Sequence, residues 1–170
     1  MTRRRGLIVS GIAIVALLLA MAPAEDRMRE NGEGVVAFEL AGSQERADEI
    51  LDEWGDDGRD AAREQLLIDF AFMLAYGTFL VLAVAAVRDR LGARGWRRLA
   101  AIGAVVVPFG AVAAACDAVE NACLLAVLDG AGSALPTVAA IFAAAKFALL
   151  VAAIAYLVVG GVLSLRRRPT

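Results

Sequence analysis

The chain has 170 residues, 60% of them hydrophobic, with a mean hydropathy of +0.67 and a formal net charge of −2. That balance is too apolar for a soluble domain unless long apolar runs are given over to lipid, so composition points to an integral membrane protein. The basic residues are sixteen arginines and one lysine, with no histidine, which removes the usual imidazole general base and the commonest transition-metal ligand.

A bilayer core takes roughly 20 apolar residues in a helix, and segments at about 6 to 24, 66 to 87, 99 to 128 and 137 to 165 qualify. The first follows "TRRR" and ends near "APA" before Glu25. Those flanks also imitate a cleavable signal peptide, but the apolar run is long for one and Pro23 falls inside the would-be cleavage motif, so a retained helix is expected.

Residues 25 to 65 carry fourteen acids against five arginines. Within them, Ser43 suits a helix N-cap, Glu45 favours the positive helix start, and Gly55 suits the position after the last turn, which predicts a helix over about 44 to 54. Ala47, Ile50, Leu51 and Trp54 form one apolar stripe, with Asp48, Glu49, Asp52 and Glu53 facing away. This helix reads either as a lid over the bundle mouth with Trp54 as an interface anchor, or as a loop helix packed on its neighbours. A new helix is expected near Gly58, leading into the second span.

The second span ends at "RDRLGARGWRR". The third contains "GAVVVPFGAVAAA", where Gly103, Pro108 and Gly110 predict close packing and a kink. It ends at "LDGAGSALP", and the fourth, with Gly160 and Gly161, runs into "RRRPT". If the spans alternate, Arg3, Arg4 and Arg5, the five arginines from Arg88 to Arg98, and Arg166, Arg167 and Arg168 share one side. The positive-inside rule then predicts cytoplasmic termini in the inner membrane and an extracytoplasmic acidic loop. The expected architecture is all-α: a four-helix transmembrane bundle in one domain, with an extracytoplasmic amphipathic helix between spans one and two.

Counting at 1.5 Å per residue from Arg88, Arg98 and Arg166 puts Asp69, Asp117 and Lys146 about 28 to 30 Å from the cytoplasmic edge, with Glu120 and Asn121 about one turn further out. Asp117, Glu120 and Asn121 share a helix face that cannot comfortably meet lipid and should point inward. Lys146, the only lysine, is the natural partner for Asp117 or Glu120, and Asp69 with Tyr76 extends the network from the second span. One lysine cannot neutralise three carboxylates. A shared proton, water, a cation or a cationic ligand must supply the balance.

Cys116 and Cys123, about 10.5 Å apart along one helix, are too far apart for a mutual disulfide and read as small buried hydrophobes. Neither a cofactor nor a metal is implied, and no phosphate loop, nucleophile elbow or zinc-binding motif occurs. Nucleic acid is disfavoured because topology already explains the arginines.

The stretches "FELAGSQERADEILDEWG", "GRDAAREQLLIDFAFMLAYG", "DAVENACLL" and "KFALL" resemble an uncharacterised family of small bacterial four-span membrane proteins. The resemblance covers most of residues 38 to 150. It implies that Asp69, Tyr76, Asp117, Glu120, Asn121 and Lys146 belong to one family pattern, and it carries no assigned activity. The expected partners are the bilayer and a lipid or a partner membrane helix. The leading expectation is a non-enzymatic protein whose outer polar site binds a lipid headgroup, a small amphiphile or a partner helix. A structural clamp, a proton-coupled transporter and a lipid-modifying enzyme using Asp117 or Glu120 as general base are the competing readings.

Overall fold

The structure, a computed structural model, describes residues 2–165. It is built from α1 (Arg3–Asn31), α2 (Val35–Glu39), α3 (Gln44–Ala93), α4 (Arg97–Val106), α5 (Phe109–Leu128) and α6 (Leu135–Leu165), with no strand among the described residues. Four helical stretches are long and apolar enough to cross a membrane: Arg3–Asn31, Gln44–Ala93, Arg97–Leu128 and Leu135–Ser164. Arg166, Arg167 and Arg168, and the count to Lys146 that starts from them, lie outside the described residues.

The first helix is longer than expected. It runs through Pro23 and on to Asn31, because the continuation "AEDRMREN" still buries Ala24 and Met28 and pairs Arg27 with Glu64. Along its apolar half, α1 packs extensively only on α3 and leaves Ile8, Ile12, Val15 and Leu19 exposed. Such a helix would be a liability in water. In a bilayer those side chains meet hydrocarbon.

The Ser43 hydroxyl accepts from the Arg46 amide at 3.2 Å and caps α3. The first turns of α3 bury Ala47, Ile50, Leu51 and Trp54 and expose Asp48, Glu49, Asp52 and Glu53, as the periodicity requires. At Gly55 the backbone adopts φ 60° and ψ −161°, a region open essentially to glycine alone. The helix resumes at once and does not wait for Gly58. Arg59 Nε donates to the Leu51 carbonyl at 3.0 Å, satisfying a backbone acceptor beside the break.

The third span is interrupted between α4 and α5, at Val107 and Pro108. Proline has no N–H to continue the ladder, yet both residues keep right-handed backbone angles, so the helical path carries on. Just beyond the break, α5 approaches α3 closely. A Cβ on Gly110 would lie 2.8 Å from the Gly77 carbonyl oxygen, and one on Gly77 would lie 3.0 Å from that of Gly110.

Ion pairs register the two ends of the bundle. At the arginine-rich end, Arg3 Nη1 meets Asp89 Oδ2 at 2.7 Å, joining the start of α1 to the end of α3. At the acidic end, Arg63 pairs with Asp129, and Thr137 donates to the Gly42 carbonyl at 2.7 Å. These exposed contacts contribute little energy each, about 0 to 1 kcal/mol, but they report which ends are neighbours. The acidic end has its own core, in which Met28, Phe38, Ile50, Trp54, Leu66 and Leu124 pack together.

Candidate functional site

The site begins with a short helix that lies outside the expected elements. Val35 and Phe38 of α2 are buried against the acidic-end core, and this anchors Glu39 at the helix end facing α6. The Phe38 ring meets Trp54 edge-on at 5.3 Å, and Trp54 Nε1 donates to the Glu33 carbonyl at 2.6 Å. Trp54 is 1% exposed, so the expectation of an interface anchor is corrected: its ring fills the space under α2, which removes it from any lipid boundary. The apolar stripe from Ala47 to Trp54 is consumed in the same way, by packing.

Lys146 Nζ is the hub of the polar layer. It donates to Asp117 Oδ1 at 3.0 Å, to Glu120 Oε1 at 2.9 Å and to Glu39 Oε2 at 3.3 Å. An ammonium has three N–H groups, and each is met here by a different acid. Its charge also lies 4.8 Å from the centre of the Phe147 ring. Tyr76 donates its hydroxyl to Asp117 Oδ2 at 2.8 Å, and Asn121 Nδ2 donates to Asp69 Oδ2 at 2.7 Å. The six residues singled out from the sequence thus fall into two bonded groups across α3, α5 and α6, Lys146 with Asp117, Glu120 and Tyr76, and Asn121 with Asp69, and Asp117, Glu120, Asn121 and Lys146 are almost wholly buried.

Glu39 is the member that sequence reasoning missed. Five residues are too few for a periodicity test, and Glu39 sits among fourteen loop acids with nothing local to distinguish it. The signal that could have found it is "VVAFEL", an apolar turn between glycines in an otherwise charged stretch. Burial pushes its carboxyl above the usual carboxylate range, opposed by the Lys146 charge and by hydrogen bonds to Lys146 and Glu120, and reinforced by Asp117. The expected mismatch of three acids to one lysine is therefore four to one. Glu120 Oε2 is also buried and accepts no hydrogen bond among the described residues, although Lys146 Nζ is only 2.9 Å away.

Beside this hub lies a cavity of about 550 Å³. Its polar end is lined by Glu39, Gln65, Asp69, Tyr76, Asp117 and Lys146. From there an apolar trench follows Phe72, Phe79 and Leu80 on α3 and Leu150, Ile154 and Leu157 on α6. Lys146 to Leu157 is eleven positions, so the trench is about 16 Å long. Ile14 and Met21 of α1 form a third wall, and no residue of 44 to 54 lines the space. The segment read as a lid does not cover this cavity; α2 stands over its polar end through Val35, Val36 and Glu39.

Cys116 and Cys123 are free thiols of intermediate exposure, less enclosed than expected of core residues. Among the described residues, no grouping of three histidine, cysteine, aspartate or glutamate side chains is placed to hold a metal ion. What the arrangement offers chemically is an acid-rich hub around one ammonium, a set of hydrogen-bond acceptors next to it, and an apolar channel leading away. Comparison with protein families, with curated proteins and with solved structures finds no match for this chain, so the functional reading rests on its own geometry.

Proposed function

We propose that this chain is a non-enzymatic multi-pass membrane protein that binds an amphiphile in the cleft between α1, α3 and α6. The observation that carries this reading is the shape and polarity of the cavity: polar at one end, apolar for about 16 Å beyond it, and of a volume that suits a small ligand. The polar layer has two duties. Lys146 with Asp117, Glu120 and Glu39 ties α2, α5 and α6 together, while Gln65 and Asp69 face the cavity from α3. By the positive-inside rule the arginine-rich end belongs in the cytoplasm, which puts the segment from Gln44 to Trp54 outside and the polar end of the cavity at the outer leaflet of the inner membrane.

The test is native mass spectrometry of the protein extracted in mild detergent, followed by identification of bound amphiphile. Leu150→Trp fills the trench at a half-buried position and should remove the adduct while the protein stays folded. The same adduct at the same occupancy in Leu150→Trp would sink the reading.

A further inference from the structure

The cavity's polar end is specific about charge, and the following inference rests on the amphiphile-binding reading above. The one cationic donor at that end is already committed, as are the Tyr76 hydroxyl and the Asn121 amide. The three N–H groups of Lys146 go to Glu39, Asp117 and Glu120, the Tyr76 hydroxyl goes to Asp117, and the Asn121 amide goes to Asp69. Lys146 is the one cation among the lining residues. A phosphate or carboxylate entering here would find acids and no free cationic donor.

The acceptors are in the opposite condition. Asp69 uses only Oδ2 within the protein, and Glu39 meets Lys146 through Oε2 at a long 3.3 Å. Independently of the acids, Gln65 lines the same cavity, is 5% exposed, and has a side-chain oxygen with no hydrogen-bond partner. A buried amide oxygen left without a donor is costly, and a ligand N–H would satisfy it.

We propose that the cavity takes a cationic amphiphile whose primary ammonium head sits among Glu39, Gln65 and Asp69 and whose alkyl chain lies along the trench between α1 and α6. The ammonium supplies the charge that one lysine cannot, and N–H donors to the unsatisfied acceptors. The chain enters sideways from the bilayer. There is little direct packing of α1 on α6, and Ile154 on the trench wall is 53% exposed.

The test is equilibrium binding to the full chain in phosphatidylcholine nanodiscs, with empty nanodiscs subtracted. The probes share a dodecyl chain: dodecylamine, dodecanol and dodecanoate. Dodecylamine should bind saturably and about tenfold or more tighter than the other two, as expected of a charge-assisted hydrogen bond in a buried place. Asp69→Asn and Gln65→Leu should each reduce that preference, with unchanged melting as the check on folding. Equal saturable binding of all three probes, unaltered by Asp69→Asn, overturns the ammonium assignment and leaves the amphiphile site standing. No saturable binding of any probe overturns both. Adding phosphatidylethanolamine to the discs identifies the source: competition with dodecylamine assigns the head to a bilayer lipid and lack of competition to a free amine, and either result supports the assignment.

Discussion

Lys146→Met removes the charge and keeps most of the volume of the hub. The wild-type side chain is 5% exposed and bonded to three acids, at 2.9, 3.0 and 3.3 Å. Its loss leaves Asp117 at 2% and Glu120 at 0% exposure with no cation beside them. Breaking a buried ion pair by removing one partner typically costs about 3–5 kcal/mol, because the remaining charge is uncompensated. For a chain of this size each kcal/mol lowers the melting temperature by about 2–4 °C, so a fall of about 6–20 °C is expected. The assay is thermal unfolding in detergent followed by tryptophan fluorescence, since Trp54 is buried at 1% exposure and reports loss of the acidic-end core. Combining Lys146→Met with Glu39→Gln, Asp117→Asn and Glu120→Gln should recover most of the loss, because a neutral set of similar volume carries no unpaired charge. A single variant that melts with the wild type would refute the hub. A combined variant no more stable than the single one would show that the loss came from packing.

Glu39→Gln tests the burial-raised carboxyl. In the folded state Glu39, facing Lys146, Glu120, Asp117 and Asp69, holds its proton above the ordinary value of 4.5, so the wild type loses stability as pH rises from that value toward the raised one. The glutamine variant lacks this slope, so its advantage should grow with pH by no more than about 1.4 kcal/mol per unit, and parallel melting curves from about pH 4 to about pH 8 would exclude the effect. Gly55→Ala should cost about 1–3 kcal/mol although no atom lies within 4 Å of the added Cβ, because the penalty is conformational; a fully tolerated alanine would mean that the corner is not held at positive φ. Gly160 and Gly161 make a neighbouring pair with opposite expectations. A Cβ on Gly160 would sit 2.6 Å from Val87 Cγ1, whereas one on Gly161 meets nothing within 4 Å. Gly160→Leu should therefore destabilise by about 1–3 kcal/mol and Gly161→Leu by less than about 0.5 kcal/mol, as read by melting temperature.

The sequence alone determined that four helices are long and apolar enough to span a membrane, because span length and hydropathy are local properties set by bilayer thickness. It also determined which face of α5 turns inward, since Asp117, Glu120 and Asn121 recur at helical spacing and cannot comfortably be left in lipid. The cap at Ser43 and the break at Gly55 were legible for the same reason, being properties of single residues and their neighbours. Only the tertiary structure decided what those residues touch. Nothing in the sequence around Glu39 says that it reaches Lys146, 107 positions away, because α2 is too short to be recognised and its place is set by packing on Trp54. Nothing near Trp54 says whether its ring meets lipid or core. The cavity itself belongs to no segment: it exists because α1 packs on α3 and stands off α6, a relation between helices that periodicity along any one of them cannot encode.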